Sequence, residues 1–289
     1  MGWLDVYLVP FIDGIAYGVL LFLVAAGMMA AFAVGGTLNL AHGAVFALGA
    51  YLCAVLSDGT WTGFAAAVLV GATAGAGCGG LLAAALAPVR ARGHLAQALL
   101  TMGIAFIAAD LMRTVFGPAD RPTPAPRAIA GTVRMFGHAY PAYRLALIVA
   151  AVMVAAAGWW VLTRSRAGAL VRAAVDDADM LATLGVNPAL VHVGVMVAAG
   201  GLAGLAGALG APVIGAGPAT ATTVLLWSLV VVVLGGMRSV PLTLVAALGV
   251  GQAQTLGVVA IPGLAPFLLF AAMTVVLVAR SRAPEGTLA

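Results

Sequence analysis

An all-α integral membrane protein, a polytopic helical bundle of about eight to ten spans with one or two broken helices, is the fold this sequence predicts. Three observations predict it. Of 289 residues, 64% are hydrophobic and only 8% carry charge, with mean hydropathy +1.15, against roughly half and a quarter in soluble domains. Apolar runs of span length recur over 11–34, 38–56, 63–87, 95–113, 145–162, 191–213, 224–236, 240–260 and 264–279. Turn-forming residues punctuate them: Gly35-Gly36, Ser57-Asp58-Gly59, Pro88 to Gly93, Gly235-Gly236 and Ile261-Pro262-Gly263.

A surface this poor in charge needs lipid as its solvent. A span takes ~20 residues, so these runs consume nearly the whole chain. The expectation is one transmembrane domain over 1–289, with no soluble catalytic domain. Met1 to Asp5 holds no basic residue, so the first run is expected to stay as a helix and not be cleaved. Cys53 and Cys78 lie in apolar runs without a CxxC partner, which argues against a disulfide or metal framework.

The net charge of +4 comes from thirteen arginines and no lysine. These arginines sit in loops, a pattern of membrane topology and not of nucleic-acid binding. Arg90, Arg92, Arg164, Arg166, Arg172, Arg238, Arg280 and Arg282 fall on one side if nine spans are counted. The positive-inside bias makes that side cytoplasmic, with the N-terminus outside. Arg113, Arg121, Arg127, Arg134 and Arg144 run against it, at the start of and within a proline-rich loop (114–144) that alternation places outside. Proline fixes φ and removes donors, so this loop reads as a stiff cap. It is either a docking surface for an external partner or a plain connector.

Small residues crowd the spans. The runs Gly71 to Gly80 and Gly200 to Gly207 present small-xxx-small faces, which let backbones approach in lipid.

Three segments carry chemistry. The first is Gly35-Gly36-Thr37-Leu38-Asn39-Leu40-Ala41-His42-Gly43, where polar residues interrupt an apolar stretch. Polar groups in the membrane usually face a bundle interior or cavity. A broken helix there would expose a helix N-terminus to an anionic group. Alternatively it is an inter-helix turn, with Asn39 capping the next helix and His42 satisfied by neighbours.

The second segment, from Arg164 to Pro188, reads "RSRAGALVRAAVDDADMLATLGVNP". Residues 170–184 predict one amphipathic helix with Leu170, Ala174, Ala178, Leu181 and Leu184 near one face. Gly185 supplies a stop, and Asn187-Pro188 starts the next turn. A short surface helix of this kind suits an engaging soluble subunit, but composition alone favours a simple solvated helix. The third, Val230 to Pro241, ends a β-branched run in Gly235-Gly236 and forms either a tight hairpin or another broken helix.

In order and spacing, these segments resemble those of the LivH-type permeases of branched-chain amino-acid ABC importers. The resemblance rests on "LNLAHG", the Arg164–Pro188 stretch, "VVVLGGMRSVP" and the loop "VFGPADRPTPAP", and covers roughly residues 11–279. It departs at Arg238, where such permeases usually have a small residue. The resemblance implies a subunit in the inner membrane of a bacterium that moves leucine, isoleucine and valine. Its partners would be a second homologous permease or a copy of itself, two cytoplasmic ATP-binding subunits and an extracytoplasmic solute-binding protein. Residues 163–190 would form the coupling segment, with Arg172, Asp176, Asp177, Leu181 and Gly185 at the ATPases. Asn39, His42 and Gly43 would lie at a broken helix on the translocation path, and Gly235 and Gly236 at a second break.

No cofactor is expected in this chain, since ATP belongs to partner subunits. Without lysine there is no P-loop, and neither HExxH nor GxSxG occurs, so no enzyme is expected. Urea, short amides or small carboxylates, carried by related permeases of the same class, are the alternative. An ion-coupled transporter would draw on Asp13 or Asp110 as relay carboxylates. Asp110, three residues before Arg113, is more simply expected to pair with it.

Overall fold

Bilayer thickness sorts the helices by length. The computed structural model describes residues 3–135, 137–236, 239–260 and the single positions 262, 263, 267, 271, 273, 274 and 278. In chain order the helices are α1 (Trp3–Gly35), α2 (His42–Leu56), α3 (Trp61–Leu86), α4 (His94–Phe116) and α5 (Ala142–Arg164). They continue as α6 (Arg166–Asp176), α7 (Ala178–Thr183), α8 (Pro188–Ile214), α9 (Thr220–Gly235) and α10 (Val240–Ala260).

Six of these, α1, α3, α4, α5, α8 and α10, are long and apolar enough to cross a membrane among the described residues. The apolar α2 and α9 have 15 and 16 residues, about 22–24 Å, short of a ~30 Å hydrocarbon core. The expected last span, 264–279, lies almost wholly outside the described residues, as do Met237 and Arg238. An all-α polytopic membrane protein is what the chain forms.

α1 is the axis of the bundle. It packs on α8, α9, α10 and α5, and Leu20, Leu21, Leu23, Val24 and Ala25 are fully buried. Glycine contacts fix its direction relative to α8: Gly27 lies against Ala199, and Gly35 against His192. The two helices are therefore antiparallel. α3 also runs antiparallel to α8, with Gly71 at Gly204, Gly75 at Gly200 and Gly79 at Met196. A methyl at Gly75, Gly79, Gly200 or Gly204 would overlap a carbonyl of the facing helix. The two small-residue runs thus pack on each other, giving close backbone approach where lipid offers no hydrophobic drive.

The helices end on two faces. On one, a proline-rich loop is tied to neighbouring turns. Ser57 Oγ donates to Pro124 O (3.1 Å), Arg127 N to Gly59 O (2.9 Å), and Arg121 exchanges backbone bonds with Ala216 (2.8 and 3.2 Å). The loop also holds an antiparallel hairpin, β1 (Thr132–Met135) with β2 (His138–Pro141), in the register Val133 to Tyr140, which the reading as a stiff cap did not foresee. We name this the hairpin face. α6 and α7 mark the opposite face, where α5 ends and α8 begins.

A polar clamp pins α1 to the hairpin face. Asp13 forms an ion pair with Arg144 at the start of α5, and Tyr140 Oη donates to Asp13 Oδ1 at 2.7 Å. Burial and the adjacent carboxylate push the Tyr140 phenol well above its ordinary range, so it stays the donor. The Asp110–Arg113 pair expected from sequence is not formed among the described residues. Both side chains are exposed, and fixing two flexible side chains in one geometry costs rotamer entropy.

Candidate functional site

Segment 36–41 is non-helical and returns into the bundle. α1 ends at Gly35, and Gly36 turns the chain at φ +60°, a conformation natural to glycine. The chain then runs back along α1 until His42 lies beside Val24. Val24 is eleven residues before the end of α1 at Gly35, roughly 16 Å along its axis. α2 therefore begins deep inside the bundle and runs out toward the hairpin face. The interrupted stretch is a re-entrant segment followed by a part-length helix.

The polar residues of this segment face inward. Thr37, Asn39 and His42 are 0%, 3% and 1% exposed. Asn39 Oδ1 accepts from Ala41 N at 3.1 Å. That closes an Asx turn one step before the helix, so Asn39 shapes the approach to α2 and does not cap its first turn. His42 Nε2 donates to the Val24 carbonyl (3.0 Å), since a carbonyl can only accept. Nδ1 is then an acceptor, and it has no partner. Gly27 makes room for the ring. Gly43 serves packing instead. A methyl there would overlap the Ala221 carbonyl of α9, so Gly43 seats the start of α2 on the start of α9.

α4 supplies a brace that sequence reading missed. Thr101, fully buried, accepts from Leu40 N (3.1 Å) and lies 3.2 Å from Leu38 O and 3.0 Å from Gln97 O. Gln97 Nε2 donates to Arg90 O (3.2 Å), and its Oε1 has no partner. His94 Nδ1 lies 2.7 Å from Gly36 O. His192 on α8 packs against Gly35, is 1% exposed, and has neither ring nitrogen bonded. Each is a single polar residue in an apolar run. The cost argument that singled out Asn39 and His42 applies to Thr101, Gln97 and His192 as well.

The glycine pair at the other end of α9 is a separate feature. α9 stops at Gly235, and Gly236 N donates to Val232 O (2.9 Å). A methyl at Gly235 would strike the backbone of Thr243 on α10. α9 ends at Gly235 and α10 begins at Val240 with Thr243 against Gly235, so the described residues fit the tight hairpin; Met237 and Arg238 between them lie outside the described residues. From Ala221 to Gly235 is most of α9, roughly 21 Å, so the pair is not gathered with Asn39 and His42.

A family model described as the branched-chain amino acid transport system permease component matches residues 11–278. The chain belongs to this permease family. No curated protein and no solved structure matches it.

In this permease, the segment read as one amphipathic helix over 170–184 is two helices. Asp177 adopts an extended conformation between them (φ −155°, ψ 100°), and its Oδ1 accepts from Met180 N at 2.8 Å. A carboxylate capping a new first turn competes with continuing the old helix, and here the cap wins. Ala174 and Leu181 are buried, while Leu170, Ala178 and Leu184 are exposed, so the single apolar face is not realised. Arg172 and Asp176 lie on α6, toward its solvated side. Gly185, at φ +81°, ends the segment, and Asn187 Oδ1 caps α8 through Ala189 N (2.9 Å). Those two boundaries are where the sequence placed them.

Proposed function

We propose that this permease is the membrane-spanning subunit of an ATP-driven ABC importer for leucine, isoleucine and valine in the inner membrane of a bacterium. It would work with a second permease (a homologue or a copy of itself), two cytoplasmic ATP-binding subunits and an extracytoplasmic solute-binding protein. The observation that carries the reading is the re-entrant segment 36–41, which delivers a buried helix start and a polar cluster into an otherwise apolar bundle of a branched-chain permease family.

The α6 face is then cytoplasmic, and α6–α7 is the coupling segment. Arg172 and Asp176 present charges to the ATPases, Asp177 and Gly185 set the shape, and Leu181 anchors α7 to the bundle. ATP-driven closure of the ATPases would press on α6–α7 and, through α8, on the packing of α1 and α2. The bundle would thus switch between two packed states. Asn39, His42 and Gly43 hold the helix start that borders the path. Gly235 and Gly236 shape the α9–α10 turn on the side of the ATPases. The chain itself supplies no cofactor chemistry. The proline-rich loop and hairpin face the binding protein.

Of the two carboxylates an ion-coupled mechanism would draw on, Asp13 is committed to Arg144 and Tyr140, whereas Asp110 is exposed on α4, so a protonophore decides that reading. The deciding experiment is uptake of labelled leucine by vesicles containing the permease with its ATPases and binding protein. We expect uptake that requires internal ATP and survives a protonophore. ATP-dependent uptake of urea or a short amide in place of leucine would keep the architecture and overturn the substrate. Uptake abolished by the protonophore alone would overturn the ABC reading.

A further inference from the structure

A cavity of about 480 Å³ opens between α1, α5, α6 and α8. All its lining side chains are apolar, among them Phe22, Ala26, Leu162, Val171, Val195 and Leu202. Sites for polar solutes carry a few convergent polar groups to fix orientation. This cavity has none, and it is not part of the polar cluster around His42. Its wall reaches the lipid side of the bundle, where the lining residue Trp159 is 49% exposed. Two lining glycines border empty space: a methyl built at Gly158 or Gly194 meets no atom within 4 Å.

Two arginines lie in the chain between residues that line one end of the cavity. Leu162 and Ala167 both line it, and the chain between them carries Arg164 and Arg166, both exposed. α5 ends at Arg164, so these guanidinium groups lie at a membrane boundary. Neither has a side-chain partner among the described residues. Two arginines on the hairpin face contrast with them: Arg144 is paired with Asp13, and Arg121 Nε donates to Phe116 O at 2.8 Å.

We propose that this groove holds an acyl chain of an anionic phospholipid, with its phosphate held by Arg164 and Arg166. The apolar walls exclude a hydrated ligand, and the two planar guanidinium groups match phosphate oxygens in geometry and sign. α6 closes the groove as a floor: Gly168 packs so tightly on the last turn of α5 that a methyl there would overlap the Val161 and Leu162 carbonyls. The lipid would therefore sit between the bundle and the segment assigned to coupling. Basic residues beside an inter-helix groove are a general recipe for headgroup recognition.

The test equilibrates the purified, full-length protein with vesicles of equal phosphatidylglycerol and phosphatidylcholine, then counts retained lipid by native mass spectrometry. Wild type should retain phosphatidylglycerol over phosphatidylcholine by roughly thirtyfold, the product expected for two near-surface arginines. Arg164→Gln with Arg166→Gln should keep a bound lipid but abolish the preference. Gly158→Leu with Gly194→Leu, at positions where an added Cβ meets no atom within 4 Å, should fill the groove and lose the retained lipid, while the protein stays monodisperse. Retention by the filled variant equal to wild type would overturn the proposal, as would an absent headgroup preference in wild type. A third outcome also overturns it: lipid unchanged, but a dimer that the filled variant converts to monomer, which would make a second copy the occupant. None of these readouts depends on which solute the permease carries.

Discussion

Two interruptions of regular helix hold much of this permease's polar character, and they are built in opposite ways. Segment 36–42 lies inside the bundle, and its polar side chains are buried and braced by α1 and α4. Segment 176–187 lies on a face, exposes its charges, and is held by local caps. Inside the membrane an unpaired backbone group costs several kcal/mol, so the chain there must close its hydrogen bonds with whatever is near. At the face, water does that work, and side chains remain free for a partner. The first interruption is specified by tertiary contacts and the second by local sequence. Disturbing them should therefore have effects of very different size.

The largest effect is expected at Gly43. Gly43→Val places side-chain atoms on the Ala221 carbonyl and the Leu225 Cβ, both on a packed helix that cannot yield. Overpacking of this kind costs about 3 kcal/mol. A fall in monodisperse yield and in the thermal midpoint in detergent would show it. Wild-type stability in this variant would mean that α2 does not seat on α9.

Next is Thr101→Val, which is nearly isosteric. It removes the acceptor for Leu40 N and the hydroxyl beside Leu38 O. Leaving a buried backbone group unpaired costs about 2 kcal/mol. Hydrogen exchange over residues 38–42 should accelerate, and Thr101→Ser should restore protection. Acceleration spread evenly over the bundle would instead make Thr101 an ordinary core residue.

Much of this contrast was legible in the sequence, and its limits have physical causes. Hydropathy marks long spans because lipid admits little else, so the six long helices stood near their expected places. The run from Gly35 to Gly43 stood out because glycine and polar residues cluster there at high cost in lipid. Thr101, Gln97 and His192 carry the same cost singly, and one polar residue in an apolar run makes little signal. The clamp of Asp13, Tyr140 and Arg144 joins residues far apart in the chain, which no local pattern reports. Over 170–184 helical periodicity was real, but the competing capping ability of Asp177 decided the break. Gly185 and Asn187-Pro188 were readable because helix ends are settled by local chemistry.

Asp177 gives a smaller and local effect. Asp177→Ala removes the cap on α7 and should cost about 1 kcal/mol. Asp177→Asn keeps an acceptor for Met180 N and should cost less. Hydrogen exchange over 178–186 should separate the two variants, with the rest of the bundle unchanged. Equal exchange in both would mean that burial of Leu181, and not the cap, holds α7.

The smallest effect on stability is expected at the neighbouring residue, and it is the most informative about function. Asp176 is exposed at the end of α6, and its carboxylate caps nothing among the described residues. Asp176→Arg should leave stability within about 0.5 kcal/mol of wild type, as at other unconstrained surface sites. If α6–α7 meets the ATPases, the same reversal should nonetheless lower leucine uptake per ATP hydrolysed. Because the cap is untouched, such a loss could not be blamed on a misshapen segment, whereas a loss in Asp177→Ala could. Unchanged coupling in Asp176→Arg, measured beside normal membrane insertion, would remove this charge from the contact and leave α6–α7 as a solvated surface.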